Sequence, residues 1–427
     1  MSTAADRFAA EGFGPENLPY ASFSPTGGDP RLGVRLGDRA IDVAALAATV
    51  EGLDDAARTA VSAPNLDALL AAGHGTWTAL RAWLVEVVTA DGLADTVEQA
   101  SHPVDGIALH MPFTVADYVD YYASEHHASN VGRMFRPDQA PLLPNWKHLP
   151  VGYHGRAGTV IPSGKDFPRP KGLRPEQDGP PSFGPSRRLD IEAELGFVLG
   201  GAAPAGEVSL EQAAAEHLFG VVLFNDWSAR DIQAYEYVPL GPYLGKSFAS
   251  SISLWVVPWQ ALTAARVAPP AREHELAPYL DDEGKEPWGL DITLGVSVDG
   301  RTVSHPPAST LYWTAPQMVA HMSVNGASLR PGDFFGSGTV SGPEKDQRGS
   351  FLELSWGGKE PFALPGGTEM TFLADGQSVT LTGTAPGPDG SVIDFGECTA
   401  TILPATTAPE AALAQQPSAP TSFPAQS

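Results

Sequence analysis

Four residues near the middle of the chain carry a spacing that suits chemistry better than packing. Asp226, Arg230, Gln233 and Tyr237 fall at i, i+4, i+7 and i+11, which on a helix turning about 100° per residue is one narrow stripe. The stripe holds a carboxylate, a guanidinium, an amide and a phenol, whereas a core-facing stripe is apolar. Just downstream, Pro239, Gly241, Pro242 and Gly245 precede Lys246, so a turn-rich loop presents one cation.

Three further stretches offer groups that could complete such a site. In FTVADYVDYYASEHHASNVG, Asp117, Asp120, Ser124 and His127 share one face of an expected helix that opens with a Thr114–Asp117 capping box. Asp120 and His127 would then lie two turns apart, about 10 Å along the axis, at opposite ends of a small-molecule pocket. A solvated face would show the same spacing. His126 points away from that face, which leaves His127 as the better candidate. In LDIEAELGFVLG, Leu189, Ile191, Ala193, Leu195 and Phe197 alternate with Asp190, Glu192 and Glu194, the pattern of a strand. A half-exposed edge strand would explain this, but a row of like charges on one strand face also invites a cation, and hard cations such as Ca2+ and Mg2+ take oxygen ligands. Glu353 in FLELSW, read as a strand, is either solvent-facing or deliberately partnered.

Together these residues suggest metal-assisted hydrolysis of a small, oxygen-rich substrate. Asp120, Glu192, Glu194 and Asp226 could converge on one divalent cation, with Lys246 offsetting the excess negative charge. Arg230, Gln233 and Lys246 are donors for developing negative charge. His127 could act as a general base if a carboxylate orients it, and Glu353 is the unassigned candidate.

The elements that must position these groups are predominantly β. Gly and Pro number 45 and 40 in 427 residues, far above the usual share, which predicts many turns and ordered loops. Residues 17–45 read as short strands joined by TGGD and LGDR turns, and residues 65–90 as helices interrupted near Gly73–Gly75. The loop 141–161 gathers Trp146, His148, Tyr153, His154 and Arg156, too aromatic for disorder. We expect a small N-terminal β-barrel unit with helical additions at 1–112, a metal-binding unit at 113–405, and a disordered Pro/Ala/Ser/Gln-rich tail at 406–427.

Composition excludes several classes of partner. Fifty acidic residues against 26 basic give a net charge of −24, which argues against nucleic acid and against an anionic membrane surface. A lone cysteine, Cys398, excludes an internal disulfide and a thiolate metal cluster. No 18-residue apolar run and no signal-peptide pattern is present, so a cytoplasmic protein is expected. GPYLGKS resembles a phosphate loop, but Leu240 stands where that spacing requires glycine, and GSGTVSG lacks a strand–helix context. GxSxG and HExxH are absent.

NWKHLPVGYHGRAGTV, NDWSARDIQAYEYVPLGPYLGKSF, SVNGASLRPGDFFGSGTVSGPE and LELSW resemble the fumarylacetoacetate hydrolase family, over about residues 17–404. The resemblance implies a Src-homology-like N-terminal β-barrel, a C-terminal mixed β-sandwich roll and a homodimer. It implies hydrolysis of a carbon–carbon bond in a dicarboxylic diketo acid at the end of tyrosine and phenylalanine degradation. By position it implies calcium ligands at Asp120, Glu192, Glu194 and Asp226, and a magnesium neighbourhood at Asp226, Lys246 and Ser250. It makes His127 the base, oriented by Glu353, and Tyr122, Arg136, Tyr153, Arg230, Gln233, Tyr237 and Thr339 substrate contacts. Ala249–Ser250 replaces the family's usual Gly-Thr pair, and Glu125–His126 is not the expected pairing before the base. Other readings are a related keto-acid hydrolase, isomerase or decarboxylase, acting for example on an acylpyruvate, and an inactive metal-binding homologue.

Overall fold

The structure, a computed structural model, describes residues 2–203 and 207–406; nearly all of the expected tail lies outside these. The N-terminal part is an open, half-barrel-like antiparallel sheet of β1 (Tyr20–Pro25), β2 (Arg31–Leu36), β3 (Arg39–Asp42), β4 (Ser101–Pro103) and β5 (Ile107–His110), in the order β4-β3-β2-β1-β5. Helices α1 (Asp67–Ala72) and α2 (His74–Thr89) cover it. Gly73 separates them at φ 82°, a left-handed conformation that glycine adopts at no steric cost. The break is where the sequence places it.

The larger part is built on an eight-stranded mixed sheet. Its site-bearing strands are β6 (Asp117–Tyr121), β7 (Gly152–His154), β8 (Val160–Pro162), β9 (Ala193–Leu199), β10 (Leu218–Asp226), β11 (Ser250–Ile252) and β12 (Asp333–Gly336), in the order β7-β6-β12-β9-β10-β11-β8. Strands β9 and β10 are buried along their whole length. Alternation decides which side chain goes where. Leu195, Phe197, Val221 and Leu223 pack into one core with Leu294, Val296, Leu381 and Phe395 of a second, five-stranded sheet. Val198, Val222, Phe224 and Phe334 point the other way, into the core shared with Leu32, Val34 and Leu84 of the N-terminal part. The chain is therefore mixed α/β, mostly β. Cys398 is a buried core residue of the second sheet.

The structure corrects several local expectations. Asp120 lies on strand β6, and a separate helix α3 (Glu125–Phe135) carries His127, with Ser124 as N-cap accepting from His127 N. Thr114 does not form the expected capping box; its N–H and hydroxyl donate to Asp67 at 2.7 and 2.8 Å. Asp226 ends strand β10, and the helix that follows, α4 (Arg230–Glu236), starts only at Arg230. Glu353 is on a short helix α5 (Phe351–Leu354), not a strand. The alternating acidic stretch is not one half-exposed edge strand: Leu189–Asp190 pairs with Ser228–Ala229, Ile191 and Glu192 lie between strands, and only Glu194 sits on the interior strand β9.

Candidate metal centre and active site

Five neighbouring positions of the large sheet deliver side chains to one point. Across the strand order, Tyr153 pairs with Asp120, Asp120 with Gly336, and Gly336 with Gly196. Ala193 pairs with Asn225, and Asp226 with Ser250. The register thus sets Asp120, Glu194 and Asp226 side by side, and Glu192, just before β9, joins them. One carboxylate oxygen from each of Asp120, Glu192, Glu194 and Asp226 lies within 4.8 Å of the others, and all four residues are buried. Close approach is possible because β12 carries glycine at 336, where a Cβ would stand 2.6 Å from Glu194 Oε2.

Four carboxylates in a dry site repel one another unless cations or protons intervene. Lys246 Nζ donates to Asp226 Oδ2 at 2.6 Å and also to Glu192 Oε2. Arg230 Nη1 meets Glu192 Oε1 at 2.8 Å. Burial works to raise the Glu192 carboxyl, but Lys246, Arg230 and His127 outweigh it and hold it at about 2. Asp120 and Glu194 make no ion pair among the described residues, and the pull of Lys246 on them is outweighed. Burial pushes both well above the usual carboxylate range, and the neighbouring acids add to the push. Asp120 Oδ1 and Glu194 Oε1 are buried with no hydrogen-bond partner among the described residues. An all-oxygen donor set with orphaned carboxylate atoms fits a hard divalent cation.

Beside the cluster stands a second buried unit. His127 Nδ1 is 2.6 Å from Glu353 Oε2, and the two side chains are 3% and 0% exposed. Asn130 Nδ2 donates to Glu353 Oε1 at 2.9 Å, and the Ser341 and Ser350 hydroxyls each donate to Oε2 at 2.9 Å. Burial works to raise the Glu353 carboxyl, but His127 and these donors hold it at about 2. A carboxylate so tightly held fixes the imidazole with Nδ1 as donor, leaving Nε2 as the proton acceptor. The Tyr122 ring packs edge-on against His127 with centroids 5.3 Å apart. Glu125 instead pairs with Lys147 at 3.0 Å.

Donors converge between the two units. Arg230 Nε donates to Asp190 Oδ2 at 2.8 Å and Nη1 to Gln233 Oε1 at 3.2 Å. Engaged through its oxygen, Gln233 has no partner for its amide N–H groups among the described residues, which leaves them able to donate. Lys246 arrives on a loop that docks against α4: Glu236 Oε1 accepts from Tyr243 N and Gly245 N at 2.9 and 2.7 Å, and Ala229 N donates to Gly245 O at 2.9 Å. A Cβ at Gly245 would lie 2.8 Å from Gln233 N.

The remaining expected residues divide. Ser250 Oγ donates to Asp226 Oδ1 at 2.7 Å, and Tyr153 OH reaches Asp226 Oδ2 at 3.5 Å. Thr339 is buried with its hydroxyl unpartnered among the described residues. A cavity of about 260 Å³ lined by Tyr153, Asp226 and Lys246 opens beside the cluster. Arg136, at the end of α3, donates to Pro141 O at 3.0 Å. Tyr237 stands apart, 52% exposed at the end of α4. Asp190, Asn130, Ser341 and Ser350 were not among the expected site residues, yet each holds one that was, and Glu236 holds the loop that carries Lys246.

The family model described as fumarylacetoacetate hydrolase C-terminal matches residues 117–403, and that described as fumarylacetoacetase N-terminal matches residues 16–112. The fumarylacetoacetases of Bos taurus and Homo sapiens are each 42% identical to this chain, with 91% of this chain and 96% of theirs covered. A solved fumarylacetoacetate hydrolase from psychrophilic Exiguobacterium antarcticum matches with a TM-score of 0.54 at 14% identity, covering 91% of this chain and 99% of its own, a likeness of fold. With both parts matched in order and close relatives aligned nearly end to end, this chain belongs to the fumarylacetoacetate hydrolase family.

Proposed function

We propose that this protein hydrolyses the carbon–carbon bond of 4-fumarylacetoacetate, giving fumarate and acetoacetate, the last step of tyrosine and phenylalanine degradation. The observation that carries the reading is the buried His127–Glu353 pair beside four convergent carboxylates, in a chain 42% identical to fumarylacetoacetases over most of its length. In this reading Asp120, Glu192, Glu194 and Asp226 hold Ca2+, and Asp226, Ser250 and the Lys246 loop neighbour a Mg2+ site. When bound, the cation supplies Lewis-acid stabilisation of the oxygens of a 1,3-dicarbonyl and of the enolate it becomes.

The chain's own groups then have defined tasks. Glu353 keeps the proton on His127 Nδ1, so Nε2 takes a proton from water as its oxygen attacks the ketone carbonyl. Arg230, Gln233 and Lys246 donate to the oxyanion that forms. Two of the three Lys246 N–H donors are engaged by Glu192 and Asp226, which leaves the third for this role. Collapse of the tetrahedral species breaks the carbon–carbon bond; fumarate keeps the water oxygen, and the acetoacetate enolate takes up a proton at carbon. Tyr122, Tyr153, Thr339, Arg136 and Tyr237 orient the substrate, the last two by closing on it from where they now stand.

The same reading takes residues 1–112 and 113–405 as the two domains of each chain, and two chains as a cytoplasmic homodimer. The exposed apolar run containing Tyr237, Val238, Leu240 and Tyr243 supports a contact between copies. Assaying purified protein on fumarylacetoacetate and on acylpyruvates tests the substrate. Turnover of fumarylacetoacetate is expected; turnover of acylpyruvates alone would overturn the reading.

A further inference from the structure

A cavity of about 490 Å³ lies behind Arg230, walled by the end of α3, by α4 and by the turn after α5, within the size range of small-molecule sites. In a chain of net charge −24, its lining includes Arg174, Arg187, Arg188, Arg230 and Lys359 against one acid, Asp231. That acid is already spent, accepting from Ser186 Oγ at 2.6 Å and Arg187 N at 2.7 Å. Arg187 is paired with Glu176, and Arg174 donates to Pro185 O and Ser182 Oγ. The Arg188 guanidinium lies over the Phe372 ring at 5.8 Å, and neither it nor the Lys359 ammonium makes a hydrogen bond or ion pair among the described residues.

A second observation concerns Arg230. It is 8% exposed, and its Nη2 has no partner among the described residues. A buried guanidinium nitrogen is costly to leave unmade, and this one belongs to a residue that lines the cavity. Trp356 forms part of the wall at φ 46°, a left-handed conformation that a bulky side chain rarely adopts and that surrounding structure must enforce. Phe135, 57% exposed, adds an apolar face for a short carbon chain.

We infer that this cavity is a second anion site, separate from the acidic cluster, which takes a small dicarboxylate between Arg188, Lys359 and Arg230. One carboxylate meets the two surface cations and the other the Arg230 Nη2 donors, in the charge-assisted geometry guanidinium favours. Because Arg230 also faces the acidic centre through Glu192, an occupant draws on donors that the reaction needs. A filled cavity therefore slows turnover without displacing the substrate.

The probe is succinate, titrated calorimetrically into the metal-loaded full-length protein and into the Arg188→Gln/Lys359→Gln double variant. Both substituted residues are exposed, so the fold is retained, which unchanged thermal unfolding verifies. The expected result is wild-type binding that weakens at least tenfold in the double variant, with noncompetitive inhibition of turnover lost in parallel. Affinity within twofold of wild type in the double variant, or purely competitive inhibition, would overturn the site. The calorimetric readout stands whatever substrate the enzyme turns over.

Discussion

Arg230 Nε donates to Asp190 Oδ2 at 2.8 Å, and the same carboxylate accepts from the backbone N–H groups of Phe351 and Leu352 at 2.7 and 3.0 Å. Asp190 thereby ties the arginine of α4 to the first turn of α5, the helix that carries Glu353. One buried acid fixes the spacing between the oxyanion donors and the residue that orients the base. Removing it breaks one of the two buried ion pairs of Arg230 and leaves the Phe351 and Leu352 N–H groups without their acceptor, which costs about 3–5 kcal/mol. Asp190→Ala should lose that much in urea unfolding, and turnover should fall about 100-fold as Arg230 loses its aim. Unchanged stability and turnover would refute this linkage.

The His127–Glu353 pair makes a sharper demand. Glu353→Gln keeps the shape but removes the charge that selects the Nδ1–H tautomer, so kcat should drop by about 10²–10⁴ while metal content stays at the wild-type level. The same variant also loses an acid held at about 2. Such a depressed acid stabilises the fold above the ordinary carboxylate range, and that contribution fades as pH falls toward 2. Wild type should therefore lose stability faster than Glu353→Gln on acidification below about pH 4.5, as read by thermal unfolding.

Asp120 and Glu194 act in the opposite direction and in a different window. Burial raises both in the metal-free protein, so the folded state binds more protons than the unfolded state above the ordinary carboxylate pKa. Chelated protein should become less stable as pH rises from about 4 toward neutrality. Added Ca2+ or Mg2+ should restore stability, increasingly so at higher pH, because the ion replaces those protons. A chelated protein whose unfolding temperature rises from pH 5 to 7.5 would contradict this account of the cluster.

Much of this arrangement was readable from residue types, and the errors have local causes. The alternation in 189–199 correctly sends Leu189, Ile191, Ala193, Leu195 and Phe197 into one core, although the stretch is two short strands, Leu189–Asp190 and Ala193–Leu199, rather than one. It does not reveal burial on the second face, which depends on the N-terminal part packing there. The helical reading of 117–127 failed because a few polar residues at helical spacing also fit a strand, a turn and a new helix. The aromatic and β-branched run Tyr118–Tyr121 and the Ser124 cap were the local signals against it. Ser350-x-x-Glu353 is a capping-box spacing that announces α5. Asn130 and Ser341 reach Glu353 from 223 and 12 residues away, and such tertiary hydrogen bonds leave no trace in spacing.

The Lys246 loop offers a test of positioning without touching any charged group. Gly245→Ala would place a methyl 2.8 Å from Gln233 N, pushing the loop off α4. Turnover should fall about 10–100-fold, with metal content retained, in steady-state assays paired with elemental analysis. Wild-type turnover in this variant would mean that the loop is not held where its lysine is used.

The central claim is that His127 activates water beside a metal-loaded acidic cluster to cleave fumarylacetoacetate. The direct measurement is the fumarate and acetoacetate formed by wild type and His127→Ala at equal, measured cation occupancy. The account predicts equimolar products from wild type and a loss of at least about 1,000-fold in His127→Ala, with the cation still bound. Comparable product formation by the two proteins, or none by metal-loaded wild type, would contradict it.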